Sequence, residues 1–287
     1  MHDSSQPGFS VVGPIDGRSP LVVASPHSGR DYPRAFLAAA RLPLAQLRRA
    51  EDAMVDTLLD GIDFAPVLRA RFARTYLDLN RAPDEIDAEM FAGTLAVPAR
   101  ITDRVTAGLG VLPRVAGQGQ NIYARKLDPA EAAARIAGIH TPWHARIATL
   151  VDRARAHHGH AILLDCHSMP TPLGIRPPQI VIGDRYGSSA APALVHLAER
   201  HFASFGWRVA RNAPYAGGHT TEAHGCPAAG IHALQIEVDR ALYMDSVSLA
   251  RTQGFGQVAD AMTGLARLLT VAAPLMGLDP PLREAAE

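Results

Sequence analysis

The stretch HAILLDCHSMP, residues 160–170, decides how this chain is read. Its first half is a run of branched aliphatic side chains suited to a buried strand. Its second half turns to Asp165, Cys166, His167 and Ser168, groups that titrate, ligate metal or hydrogen-bond. A rigid apolar strand with such an ending delivers those groups to the edge of a sheet. Similar runs stand at 21–24 (LVVA), 75–79 (TYLDL), 180–182 (IVI) and 234–238 (LQIEV). Alanine-rich stretches of helical character occupy about 44–60, 129–157, 189–205 and 246–273, with Pro129 and Ser246 suited to helix starts. Strands alternating with helices predict an α/β fold: a mixed, mostly parallel central sheet flanked by helices on both faces. A chain of 287 residues with 47% hydrophobic content can bury one such core, so 1–287 is expected to form a single domain. The segment 82–126 breaks the pattern. It is rich in Gly and Pro, carries Arg100, Arg104, Arg114 and Arg125, and reads as a loop-rich insertion at an active site.

Composition narrows the partners. Lys+Arg and Asp+Glu balance at 28 each, so no net field draws the chain to nucleic acid or an anionic membrane. Two cysteines, Cys166 and Cys226, are too few for a disulfide framework and lack C-x-x-C spacing. The opening MHDSSQPGFSVV has no basic region followed by an apolar one, and no run reaches the roughly 20 apolar residues that span a bilayer. The expectation is a cytoplasmic protein with a small-molecule partner, no nucleic acid and no membrane. Oligomeric state is left open.

The strand endings carry the chemistry. SPHSGR ends one run in His27, LDLNR ends another in Asn80 and Arg81, DCHS supplies His167, and LQIEVDR supplies Glu237. In open α/β sheets ligands bind outside the carboxyl ends of the strands, which would bring these residues to one crevice. Two histidines and a carboxylate are a common ligand set for catalytic zinc. His27 and His167 are the natural pair, and Asp52, Glu51 or Asp31 would complete it. In LQIEVDR the alternation puts Gln235 and Glu237 on one face, where Glu237 suits a general base. Asn80-Arg81 offers an anion receptor, and Arg71 and Arg74 could add a second cation or polarise a carbonyl. The Gly-rich run GGHTTEAHG at 217–225 allows close backbone approach, so Gly218, His219 and Thr221 are candidate substrate contacts. Ser168 lacks a G-x-S-x-G elbow and is no nucleophile, while Cys166 belongs to packing. Asp165 either holds the His167 ring or bonds strand-end amides.

Taken in order, SPHSGRDYP, EDAMVDTLL, YLDLNRAPDE, LLDCHSMP, GGHTTEAHG and HALQIEVDRALYMD resemble the N-formylglutamate amidohydrolases, over about 21–245. The resemblance implies a fold like that of the zinc-dependent exopeptidases. It implies hydrolysis of N-formyl-L-glutamate to formate and L-glutamate, a step in histidine degradation. It implies zinc, or another divalent metal, on His27 and His167, with Glu237 as the catalytic glutamate and Asn80-Arg81 as the pair that holds a substrate carboxylate. Zinc exopeptidases usually place a ligand glutamate three residues after the first histidine, but that position here is Arg30. Asp52 is therefore expected as the third ligand, and Arg74 as the group that stabilises the oxyanion. Two rival expectations stand beside this one. The same machinery could act on another N-acyl amino acid or peptide-like amide, or the fold could bind carboxylates without metal or catalysis.

Overall fold

The structure is a computed structural model that describes residues 8–117 and 119–278. The domain expectation and the reading of the N-terminus reach into 1–7, 118 and 279–287, which lie outside the described residues. The strands are β1 (Phe9–Val12), β2 (Leu21–Ser25), β3 (Val67–Ala70), β4 (Val115–Ala116), β5 (Gln120–Asn121), β6 (Ala161–Met169), β7 (Ile180–Gly183), β8 (Val209–Arg211) and β9 (Ile231–Asp239). The α-helices are α1 (Arg34–Ala39), α2 (Leu44–Leu47), α3 (Val55–Leu58), α4 (Asp103–Thr106), α5 (Pro129–Arg135), α6 (Thr141–His158), α7 (Pro192–Ser204), α8 (His219–His224) and α9 (Phe255–Ala272).

Seven strands form one sheet in the order β1-β3-β2-β6-β9-β7-β8, and β4 pairs β5 in a separate ribbon. β3, β2, β6 and β9 run parallel to one another, while β1 and β7 pair antiparallel with β3 and β9. The sheet is thus mixed and mostly parallel. Every residue of β6 is buried, as a strand covered on both faces requires. Alternation divides its side chains. Ile162, Leu164 and Cys166 join the core on the α3, α7 and α9 side, and Ala161 and Leu163 join the core packed under Trp143, Ile147 and Leu150 of α6. Asp165 and His167 continue the second face, so the strand is apolar toward its amino end and polar toward its carboxyl end. β9 repeats this: Ala233 packs on that face, and Gln235 and Glu237 follow it, in register with Asp165 and His167.

Four expected elements take other forms. The 75–79 run is a turn rather than a strand: Tyr76 and Leu77 bond back to Ala73, and Asp78 N–H donates to Val111 O. Its alternation reflects burial on two sides, with Leu77 and Leu79 in the core, and the sheet strand lies earlier, in β3. The expected helix at 44–60 is broken. α2 tightens into a 3-10 turn, Glu51 is extended, and Met54 adopts a left-handed conformation before α3. Tertiary bonding overrides propensity here, because Asp52 N–H is drawn to His27 O at 3.0 Å. The last helix starts at Phe255 rather than Ser246, since Asp245 gathers the Val247 and Ser248 amides into a turn. The segment 82–126 is packed rather than structureless, with Ile86, Met90, Phe91, Val111 and Leu112 buried against the α6 side.

Among the described residues one helix, extended to Leu275, is long and apolar enough by length and composition to cross a bilayer. Its Val258, Ala261, Met262, Leu265 and Leu269 are buried against α3, α7 and the sheet, which accounts for that apolarity as a core stripe. Leu164 is fully buried between β2 and β9, opposite Val23 and Leu234. Leu164→Ala should lower unfolding free energy by about 2–5 kcal/mol in a urea titration, and a loss under about 1 kcal/mol would contradict this packing.

Candidate active site

Three donor atoms meet where β2 and β6 end. His27 Nδ1 lies 3.1 Å from His167 Nδ1, Asp52 Oδ2 lies 3.1 Å from His167 Nδ1 and 3.4 Å from His27 Nδ1, and all three residues are buried. Tetrahedral zinc with bonds of about 2.0–2.1 Å sets its ligand atoms about 3.3–3.5 Å apart, close to this triangle. Each far ring nitrogen faces a carboxylate: His27 Nε2 is 2.7 Å from Asp78 Oδ1, and His167 Nε2 is 2.9 Å from Asp165 Oδ2. Asn80 Nδ2 is also 3.1 Å from His167 Nε2, and the Thr220 N–H on Asn80 Oδ1 fixes the amide with its donor toward the ring, so that contact is a hydrogen bond only while Nε2 accepts. At His27 a proton on Nε2, donated to Asp78, leaves the Nδ1 lone pair for a metal. At His167 a metal on Nδ1 would send the ring proton to Nε2, toward Asp165 and at the expense of the Asn80 bond. Asp52 is oriented from behind, since Oδ1 accepts from Arg240 Nη2 at 3.0 Å and from Ser168 Oγ at 3.3 Å. The donor set of two imidazoles and one carboxylate fits zinc or another divalent ion that takes nitrogen and oxygen ligands.

The electrostatics favour positive charge at this point. Burial works against ionisation of Asp52, yet the His167 and His27 contacts and Arg74 hold its carboxyl well below the usual range. Asp78 is likewise held well down despite burial, by His27, Arg74 and Arg81. His167 is held well above the usual imidazole value, because Asp165 and Asp52 outweigh its burial. The other candidate carboxylates are engaged elsewhere. Glu51 accepts from the Tyr32 hydroxyl at 2.7 Å and from Arg48, and Asp31 pairs with Arg71 at 2.8 Å.

A cleft of about 770 Å³ opens over the triad, within the range of small-molecule sites. Its lining includes His27, His167, Glu237, Arg74, Asn80, Arg81, Gly218 and Tyr215, with Arg49, Arg104 and Arg240 around it. Glu237 faces His167 across the β6–β9 register and accepts from Gln235 Nε2 at 2.9 Å. Burial pushes its carboxyl up to about 7, against the pull of His167 and Arg74. Arg74 is anchored to Asp78 at 2.8 Å. Arg81 donates to Leu109 O and Asn80 O, and burial together with Arg74 and Arg104 lowers its pKa. An anion beside it would relieve that crowding.

Not every candidate reaches the cleft. Arg71 turns to Asp31, Thr221 is buried with its hydroxyl on Gly218 O, and His219 stacks on His140 and meets His144 edge-on. None of the three lines the cleft. Asn80 is 3% exposed and its amide braces the 218–220 turn, where a Cβ on Gly218 would come within 2.4 Å of it. Of the arginines in 82–126, Arg100 and Arg114 pair with Asp84 and Asp87, and Arg104 alone lines the cleft. Sequence reasoning missed Asp78 and Arg240. The first had a signal, since D-L-N at 78–80 repeats the D-C-H spacing at 165–167; the second had only its place three residues after Glu237.

Residues 19–244 match the family model described as N-formylglutamate amidohydrolase. N-formylglutamate deformylase of Pseudomonas aeruginosa is 30% identical over 238 residues, covering 80% of this chain and 84% of that protein. The deformylase of Pseudomonas putida is 30% identical over 241 residues, covering 80% and 83%. The crystal structure of N-formylglutamate amidohydrolase from Ralstonia eutropha JMP134 superposes with a TM-score of 0.87 at 34% identity, covering 93% of this chain and 98% of that one. A gene product of Agrobacterium tumefaciens shares the fold at TM-score 0.64 and 18% identity, over 95% and 98% of the two chains.

Arg240 and Asp78 orient donors without joining the triangle. Arg240→Ala and Asp78→Asn should each weaken zinc affinity by roughly 10- to 100-fold in competition with a chromogenic chelator. Affinity equal to that of the unsubstituted protein would remove the orienting role.

Proposed function

This chain belongs to the N-formylglutamate amidohydrolase family, and from that premise we propose that it hydrolyses N-formyl-L-glutamate to formate and L-glutamate with a divalent cation, zinc by preference, on His27, Asp52 and His167. The observation that carries the metal part is the triangle of two imidazole nitrogens and a carboxylate oxygen at the foot of an arginine-lined cleft. When bound, such a cation supplies Lewis acidity, polarising a carbonyl and lowering the pKa of water.

The chain's own residues do the rest. Glu237 takes a proton from the water that attacks the formyl carbon and returns it to the departing amine nitrogen, and a carboxyl near 7 suits both transfers at neutral pH. Gln235 holds one Glu237 oxygen in place. Arg74, fixed by Asp78, keeps its charge at the cleft, where it stabilises the oxyanion of the tetrahedral intermediate. Arg81 takes the α-carboxylate as a fixed guanidinium, with Asn80 bracing the turn beside it rather than extending to the substrate. Arg104, exposed at the rim and making no side-chain hydrogen bond among the described residues, reads the side-chain carboxylate. The same reading puts the reaction in histidine degradation and in the cytoplasm. The free thiols of Cys166 and exposed Cys226 agree with a reducing compartment.

Glu237→Gln should retain stoichiometric zinc while formate release from N-formyl-L-glutamate falls by about 10²–10⁴-fold; near-normal turnover would remove Glu237 from the reaction. In the unsubstituted enzyme kcat/KM should decline as pH falls, because protonated Glu237 is no base. The apparent pKa should be no higher than about 7, since a cation beside the carboxylate favours ionisation. A flat profile from pH 8 down to about 4 would contradict a carboxylate base. Arg104→Ala should raise KM for N-formylglutamate more than for N-formylalanine, and an equal effect on both substrates would exclude a role in reading the second carboxylate.

A further inference from the structure

A second group of donors lies outside the triad. His140 and His144 stand four residues apart on the helix that runs through α5, a π-helical turn at Ile136–His140, and α6. That spacing puts both rings on one helix face, the arrangement by which an H-x-x-x-H helix grips a metal. π-Helical turns recur at functional sites, and this one presents His140. His219, the first residue of α8, completes the group: the rings of His140 and His219 are 5.8 Å apart, and those of His144 and His219 are 5.0 Å apart.

The hydrogen bonds set which nitrogens are available. His140 Nε2 is 2.8 Å from Arg81 O, and His144 Nε2 is 2.9 Å from Leu79 O. A carbonyl can only accept, so both Nε2 atoms carry the proton and both Nδ1 atoms expose lone pairs. A main-chain carbonyl on the far ring nitrogen is the usual support of a ligating histidine. His144 Nδ1 spends its lone pair on His224 Nε2 at 2.9 Å, while His219 Nδ1 is buried with no hydrogen-bond partner. Burial holds His140, His144 and His219 below the usual imidazole pKa, so the rings are neutral near pH 7, the form that binds metal.

We propose that His140, His144 and His219 form a second divalent transition-metal site, behind the Arg81 loop and separate from His27, Asp52 and His167. One ligand atom from each of the three lies within 4.8 Å of the others. Binding through His144 Nδ1 requires release of the His224 bond. The site is accordingly weaker and more exchangeable than the triad, and three imidazoles suit zinc, copper or nickel rather than magnesium or calcium.

Equilibrium dialysis of the full chain against rising free Zn2+, with metal and protein measured together, tests this. Two equivalents should bind in separable steps. His219→Gln, at a half-buried position on a short helix, should keep the first step and weaken the second by roughly 10-fold or more. His140→Gln is the second variant, expected to act alike, with circular dichroism checking that each remains folded. A single equivalent in the unsubstituted protein, or a second one that survives both substitutions, would overturn the site. So would loss of both equivalents from a folded variant, because the cluster would then be part of the first centre.

Discussion

The parallel pairing of β6 with β9, with His167 opposite Glu237 and Asp165 opposite Gln235, is the constraint on which the site depends. Both strands are held by apolar side chains on both faces of their amino-terminal halves and on one face beyond, so their polar ends cannot drift relative to one another. β2 lies on the other edge of β6 and sets His27 just beyond its own end. A slip of one residue in β6 would turn His167 into the α3, α7 and α9 core and bring Cys166 to the cleft. The apolar halves of the strands thus specify the position of the site as strongly as its polar residues do.

Concentrating Asp52, Asp78, Asp165 and Glu237 in a buried space is costly unless positive charge is supplied. The fold supplies it in layers. Arg240 and Arg74 take up the outward carboxylate oxygens, while the two imidazoles occupy the inward ones. What remains unbalanced differs from group to group. Glu237 sits high enough to exchange protons near neutrality, and His167 is driven toward the protonated form by its carboxylates. That division, with one carboxyl poised for proton transfer beside a centre that favours a cation, is the electrostatic basis of a hydrolytic site.

Much of this was legible in the sequence, for identifiable reasons. The α/β architecture followed from alternating runs, and β6 and β9 from apolar stretches too long and too branched for loops. The Asp52 expectation rested on a resemblance and on the absence of an acidic residue at position 30. The structure adds why Asp52 reaches His27: the chain leaves helical geometry at Glu51, and the Asp52 amide bonds His27 O. Periodicity had no means of showing that break, since 44–60 is well patterned for a continuous helix. The 75–79 run misled for a related reason, because burial on two sides imitates strand alternation in a segment whose amides bond to a turn and to Val111. Arg240 was illegible because its partners, Asp52 and Ser168, are contributed by segments distant in the chain. Asp78 was within reach, since an acid buried in an apolar run two residues before Asn80 asks for a partner, and His27 is that partner.

In the proposed centre, His27 Nδ1, His167 Nδ1 and Asp52 Oδ2 hold one divalent cation. X-ray absorption at the zinc K edge, on protein loaded with a single equivalent, measures that shell directly. The expected shell has two imidazole nitrogens and at least one carboxylate oxygen at about 2.0–2.1 Å. A shell of three imidazoles, a sulfur scatterer at about 2.3 Å, or failure to retain one equivalent of zinc would contradict it.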